Sequence, residues 1–154
     1  MSHFSMAVRV IGAIDQLERV AAVADGLPYR LSRQGDRRCG GRIQQANVLV
    51  IEVATWDQGG IVVGDPQGSQ WQQEQEALMV SSGTILRRLA PMLAALDHTC
   101  CEAELYISTI REEAQGGFSL PAMLVTAATS AHLALTLSIL VMLDDEEAAD
   151  VVPS

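Results

Sequence analysis

Near its carboxyl end the chain reads HLALTLSILVM, from His132 to Met142. Apolar residues alternate in this stretch with smaller or polar ones, which is the period of a β-strand rather than of a helix. The residues that share the apolar face are Leu133, Leu135, Leu137, Ile139 and Val141. The stretch therefore predicts a strand, and this assignment decides how the rest of the chain is interpreted.

The same stretch ends a longer run, Phe118 to Leu143, that contains no Asp, Glu, Lys or Arg. Such a run is long enough to span a bilayer. It is interrupted by hydroxyl groups and a histidine, its flanks are acidic, and its period changes midway. We therefore predict a helix followed by a strand instead of a membrane span. The helix is expected to have Ser119 as its N-cap and Pro121 in its first turn, and to run to about Ala131.

Two elements are predicted upstream of that helix. Residues 102 to 110 alternate between apolar and polar side chains, which predicts another strand. From Ile85 to Leu96 the apolar residues recur at helical spacing, which predicts a helix that is kinked or split at Pro91. The stretch from Trp56 to Gln75 is rich in Gly, Gln, Asp and Ser, and predicts a long excursion holding a short strand at Ile61 to Val63.

The amino-terminal part of the chain predicts a strand and a helix. The β-branched run from Ala7 to Gly12 is typical of a strand. Asp15 and Glu18 then have the spacing of a capping box at the start of a helix, and Gly26 is expected to end that helix.

Two further strands, Leu27 to Ser32 and Val48 to Val53, complete the order β-α-β-β-α-β-α-β. The second is apolar at nearly every position, as in a strand that is covered on both faces. The first six elements correspond to the split βαβ unit of ferredoxin-like domains, and the last helix and strand extend the sheet. We predict one α+β domain over residues 1–154, with the helices on one face and a frayed acidic tail at about 144–154.

Composition limits the function classes. Formal net charge is −9, which argues against a general nucleic-acid binder because phosphate contacts need clustered cations. All ten basic residues are Arg, so chemistry that requires a lysine amine is excluded. Three cysteines, two of them adjacent at Cys100 and Cys101, form a poor disulfide framework, and the residues after Met1 lack the plan of an export signal. A cytoplasmic location is therefore expected.

Four short motifs carry a family resemblance: the strand that ends in Gly12, the Gly35-Asp36 step, the helix ILRRLAP from Ile85, and GGFSL from Gly116. Over about residues 8 to 140 the chain resembles a bacterial family catalogued as domain of unknown function four-two-seven-nine. The resemblance implies a small, uncharacterised bacterial α+β protein with no established activity. Small domains of this kind are often regarded as toxin-neutralising or interaction proteins.

Two features depart from the pattern of that family. Members commonly carry a tryptophan in the third strand, where this chain has Asn47-Val48-Leu49. The insertion from Gly59 to Gln73 is also longer than usual. Both departures are compatible with the fold, and both put a surface site shared with the family in doubt.

The densest positive charge lies in a loop that follows the second predicted strand. Five arginines fall within thirteen residues there, around an aspartate: Arg30, Arg33, Arg37, Arg38 and Arg42, with Asp36. Guanidinium groups suit planar oxyanions, so one interpretation is a docking surface for a carboxylate, a phosphate or an acidic protein. The other is a solvated loop that balances the carboxylates of the same chain.

Trp56 and Trp71 flank the glycine-rich excursion, and either anchor a partner or hold their own loop to the sheet. Glu112 and Glu113, with Asp36, are the carboxylates nearest glycine-rich turns. An acid–base pair needs environments that separate the two pKa values, and no pattern in the sequence indicates such burial. No residue is therefore assigned a catalytic role, and no cofactor is expected.

Three thiols and a histidine are the candidate ligands for a metal site. His98, Cys100 and Cys101 together with Cys39 lack the Cys-x-x-Cys spacing of structural zinc sites. Adjacent cysteines at the start of a strand are more typical of small apolar residues, so we predict unmetallated thiols at Cys100 and Cys101.

Three functional hypotheses remain open at this point. The first is a non-enzymatic protein-interaction module, acting in toxin neutralisation or in regulation, as a monomer or homodimer. The second is a small-ligand sensor, in which the arginine loop and the stretch from Trp56 to Trp71 cover a pocket on the open face of the sheet. The third is a hydrolase that uses Asp36 or Glu112.

Overall fold

The computed structural model describes residues 3–24, 26–37, 41–57, 69–111 and 120–141, with residues 56, 57, 69–76, 111 and 141 by their backbone only. In these ranges the elements follow one another in the predicted order. They are β1 (His3–Ile11), α1 (Ile14–Val23), β2 (Tyr29–Ser32), β3 (Val48–Asp57), α2 (Ser69–Ala94), β4 (Glu102–Arg111), α3 (Ala122–Ser130) and β5 (Ala134–Val141). The α+β class is confirmed.

The sheet is mixed, with the strand order β2-β3-β1-β4-β5. β1 lies at its centre and pairs antiparallel with β3 and β4, whereas β5 runs parallel to β4 at the edge. A parallel neighbour requires a crossover connection, and α3 lies in the segment that provides it. The five-stranded order does not match that of a ferredoxin-like sheet, because β5 is added beside β4.

The core lies between the sheet and the three helices. Along β1 alternate residues are fully buried, from Phe4 to Val10, while the residues between them are only partly buried. Leu17 of α1, Leu89 of α2 and Leu124 of α3 are fully buried in the same cluster. The aliphatic residues therefore form one core on one face of the sheet, and no described helix covers the other face.

Two predicted helix starts were wrong. α1 begins at Ile14 with Ala13 at the N-cap, and the capping residue makes no side-chain hydrogen bond, so there is no capping box. Asp15 lies inside the first turn, where a carboxylate still interacts favourably with the helix dipole. In α3 the N-cap is Pro121 itself, and Ser119 lies outside the described residues.

The middle helix is much longer than predicted. α2 is a single helix of 26 residues that contains Pro91, so the helix is not split at the proline. Residues 69–75, which were predicted to be part of the long excursion, belong to its first two turns. Gln and Glu, which dominate the first two turns, are good helix formers. Pro91 lies in the last turn of the helix, and its carbonyl accepts a hydrogen bond from the amide of Ala95. The strand predicted at Ile61 to Val63 lies outside the described residues.

The strands also differ in extent from their sequence pattern. β1 begins at His3 and β3 continues to Asp57, because the two strands pair along their whole length with an irregularity between Met6 and Ala7. β3 is not covered on both faces, since Val48 and Val50 stay partly exposed. The carboxyl-terminal strand is confirmed over residues 134–141.

In the described ranges, no helix has the length and apolar character needed to cross a membrane.

Candidate functional site

A cavity of about 400 Å³ opens at the end of the sheet where β1 ends and where β4 and β5 begin. Its volume is within the range of small-molecule sites. The residues that line it are Arg9, Ile11, His98, Cys101, Glu102, Ala103, Glu104, His132 and Ala134. They come from three strands and two turns, so the cavity exists only once the sheet is assembled.

A polar network crosses the open face beside the cavity. Arg9 and Glu104 are cross-strand neighbours on β1 and β4, and their side chains form an ion pair. The Thr136 hydroxyl on β5 donates to Oε2 of Glu104 over 2.6 Å. The Arg9 guanidinium also lies 5.3 Å from the ring centre of Tyr106. Three strands are thereby connected, and the positive charge of Arg9 is neutralised by Glu104.

His132 occupies the turn between α3 and β5. It has a φ of 58°, the left-handed conformation, which glycine usually supplies after a helix. The amide of His132 donates to the carbonyl of Thr129, and that of Leu133 donates to the carbonyl of Ala128 over 2.9 Å. These bonds satisfy the last carbonyls of α3. An imidazole-bearing residue is thus held where a non-glycine side chain is conformationally unfavourable.

The second imidazole comes from the turn between α2 and β4. The ring of His98 lies 5.4 Å from that of His132, at an interplanar angle of 31°. Oδ1 of Asp97 accepts hydrogen bonds from the amide and the hydroxyl of Thr99, and the hydroxyl bond is the main reason why the pKa of Asp97 is lowered. The amide of Asp97 donates to Oε1 of Gln16 over 2.7 Å, which ties the turn to α1.

The two adjacent cysteines immediately precede β4 and lie beside Gly12. Cys101 is buried and Cys100 is exposed, with their Sγ atoms 3.8 Å apart. Partial desolvation, with the contact to Cys101, raises the pKa of the Cys100 thiol. Across the described part of the chain, no three His, Cys, Asp or Glu side chains cluster as metal ligands would. Cys39 lies outside that part.

The predicted arginine loop lies near the opposite edge of the sheet. Arg30 lies on β2, and Arg33 is the residue after that strand. Nη2 of Arg33 forms an ion pair with Oε1 of Glu18 over 2.8 Å, and both side chains are half exposed. Asp36 accepts the amide of Arg33 through Oδ2 over 2.9 Å, so its carboxylate stabilises the turn. None of these residues lines the cavity.

The remaining predicted site residues are dispersed or not described. Arg37 forms an isolated β-bridge with Ile43, and Arg42 is exposed. Arg38 lies outside the described residues, as do Glu112 and Glu113. Trp56 is in β3 and Trp71 is in α2, but their side chains are not described. The role of these residues in binding stays a prediction.

The edge strand β5 is the main apolar feature of the surface. Leu135, Leu137, Ile139 and Leu140 are between 38% and 54% exposed. The first three pair in register with Leu105, Ile107 and Thr109 of β4, so they lie on the helix side of the sheet. Among the described elements, α3 packs chiefly against α2 and makes few contacts with β5.

Sequence reasoning missed the cavity because its residues are distant in the chain. The available signal was His132, between a helical pattern and an alternating one, at a position where a glycine is usual. Comparisons of the chain with family models, with curated proteins and with solved structures found no match.

Proposed function

We propose that this chain is a non-enzymatic, cytoplasmic protein-interaction module, and that β5 is the edge through which it binds its partner. The observation that carries the proposal is the apolar face of β5, where Leu135, Leu137 and Ile139 stand exposed at the margin of the core. Monomeric proteins rarely leave contiguous apolar surface uncovered without a binding role.

The backbone of β5 supports the same proposal. Among the described strands β5 pairs only with β4, so within this part of the chain the amides and carbonyls of its outer edge have no strand partner. An extended segment of another chain gains main-chain hydrogen bonds by adding to such an edge. Its alternate side chains then meet the apolar residues of β5, which provides both affinity and register.

The charge of the chain indicates what kind of segment fits. β5 itself carries no charged residue, but Asp144 to Glu147 follow it within a few residues of sequence. The net charge is −9, so two copies of this chain repel each other, whereas a basic partner is attracted. The proposed occupant is therefore a different protein that offers an apolar extended segment flanked by arginine or lysine.

Two finer proposals go with this function. The antiparallel arrangement β2-β3-β1-β4 supports an origin of the first six elements in a ferredoxin-like unit, to which β5 was added. Membership of the bacterial family named above, and toxin neutralisation as the biological role, are the proposals that the sequence resemblance favours. A basic, apolar partner is compatible with both.

The proposal is tested with a synthetic ten-residue peptide of alternating leucine and threonine that has two arginines at each end. Fluorescence anisotropy should report binding that weakens as the salt concentration is raised, because screening shortens the range of charge attraction. The same peptide with glutamates in place of the arginines should bind at least about tenfold more weakly, a difference of about 1.4 kcal/mol.

The matched variants are Leu137→Asp on β5 and Val80→Asp on α2. Both replace a residue that is nearly half exposed, 49% and 45% respectively, so their effects on folding are comparable. Leu137→Asp should abolish binding of the arginine peptide, and Val80→Asp should leave it unchanged. Equal binding of the two peptides, or no effect of Leu137→Asp, would refute the proposal. A wild-type homodimer that Leu137→Asp dissociates in light scattering would show that the occupant is a second copy.

A further inference from the structure

We propose that the cavity at the ends of β1, β4 and β5 binds a small protonated amine with a short apolar body. The cavity reaches the first residue of β5, Ala134, but not the apolar face of that strand described above, and it lies on a different part of the sheet from the arginine loop. The inference rests on the charge of its lining, on the two imidazoles and on the conformation of His132.

The charge of the lining favours a cation. Arg9 and Glu104 neutralise each other, and the second oxygen of Glu104 is occupied by Thr136. Glu102 is exposed at the cavity, and among the described residues its carboxylate has no ion pair or hydrogen bond. One uncompensated carboxylate on a chain of net charge −9 attracts an ammonium group and repels an anion.

The imidazoles supply the remaining hydrogen bonds. A neutral imidazole has one nitrogen that accepts a hydrogen bond. The rings of His98 and His132 lie 5.4 Å apart at the cavity wall. An ammonium group has three N–H donors, so in the cavity it can donate to the Glu102 carboxylate or to an acceptor nitrogen of either imidazole. A metal ion is less suited, because the described part of the chain gathers no set of three ligands.

The conformation of His132 is the independent observation. Glycine would satisfy the same turn without strain, yet this position holds a histidine at φ 58°. Residues kept in unfavourable backbone conformations concentrate at binding and catalytic sites. A purely structural role does not explain the imidazole, because both hydrogen bonds of the turn are made by backbone amides.

Apolar side chains form the rest of the wall. Ile11 and Ala134 offer a hydrocarbon surface next to the carboxylate. A ligand with a charged head and a few methylene groups would bury both parts. This distinguishes an alkyl amine from ammonium itself, which has no apolar body.

The probe is n-butylamine, and butyrate and ammonium chloride are the matched controls. Binding of each is measured from the shifts of backbone amide signals in NMR titrations. Butylamine should shift the amides of His98, Glu102 and His132 at concentrations at least about tenfold lower than either control, a difference of about 1.4 kcal/mol. Glu102→Gln should weaken butylamine binding at least about tenfold. Glu52→Gln, an exposed carboxylate on β3, should not change it.

His132→Gly separates a ligand role from a structural one. It removes the imidazole and relieves the left-handed strain, so the thermal midpoint should stay unchanged or rise while butylamine affinity falls. Several results would overturn the proposal: butyrate binding as well as butylamine, equal effects of Glu102→Gln and Glu52→Gln, or shifts spread over the acidic surface. A His132→Gly variant that binds like wild type would do the same.

Discussion

Gly12→Ala should be among the most damaging single substitutions in this chain. Gly12 follows β1 with a φ of 155°, and its amide and carbonyl both bond to Asn47. A Cβ added there would lie 2.5 Å from the carbonyl oxygen of Cys100, 2.6 Å from Sγ of Cys101 and 2.8 Å from Cα of Cys101. Two of these three atoms belong to the backbone just before β4, so no side-chain rotation relieves the contact.

The loss in the free energy of unfolding caused by Gly12→Ala has two contributions. Ordinary carbon contacts begin near 3.5 Å, so the neighbouring backbone must move by about 1 Å, and overpacking of this kind costs about 1–3 kcal/mol. The positive φ adds about 1–3 kcal/mol for a residue with a Cβ. Together they remove about 2–6 kcal/mol from a free energy of unfolding that is about 5–15 kcal/mol in most domains. For a domain of this length the midpoint of thermal unfolding should fall by on the order of 10 °C.

Thermal and urea unfolding followed by circular dichroism would measure this loss. Gly35→Ala is the matched control, because Gly35 has a φ of 91° but nothing lies within 4 Å of the added Cβ. It should lose only the conformational part, about 1–2 kcal/mol. If Gly12→Ala is no less stable than Gly35→Ala, the close approach of β1 to the start of β4 is not as described.

Two further predictions concern charge. Replacing Arg33, Arg37 and Arg38 together with Ser should change the midpoint of thermal unfolding little, because the exposed Arg33–Glu18 pair contributes only about 0–1 kcal/mol to stability. Unfolding of the triple variant would show that the arginines are structural. Because the pKa of Asp97 is lowered in the folded state, its carboxylate stabilises the fold above the unfolded value of about 3.9 and loses that effect as the pH falls further. The difference in thermal midpoint between wild type and Asp97→Asn should thus be present at neutral pH and shrink in acid, and a difference that grows in acid would contradict the assignment.

The sequence predicted the order of the elements because each has a local signal. β4 and β5 alternate, since one face of each contacts the helix side and the other does not. The first and last residues of the elements were harder to predict from the sequence. β1 starts at His3 because β3 and β4 pair with it there, and no residue near His3 carries that information. The amino-terminal part of α2 is polar, and a polar stretch without apolar periodicity predicts a loop as readily as an exposed helix.

The site could be predicted only in part, for a related reason. The arginine loop was visible as a dense cluster in sequence, but in the structure Arg33 pairs with Glu18 and Asp36 closes a turn. The cavity gathers Arg9, His98 and His132 from positions far apart in the chain. Their proximity depends on the order in which strands pair, which single residues do not reveal.

The two proposed binding surfaces meet at the turn before β5, but they should respond to different substitutions. Side chains alternate along a strand, so Ala134 faces the cavity with Glu104, whereas Leu135 and Leu137 project to the helix side. Glu102→Gln should therefore leave binding of the arginine peptide unchanged, and Leu137→Asp should leave butylamine binding unchanged. His132 lies in the turn that leads into β5 (Ala134–Val141), so a change in that turn has the position to alter both. Loss of both ligands in either single variant would mean that β5 itself had been displaced, and that the effect was on folding rather than on binding.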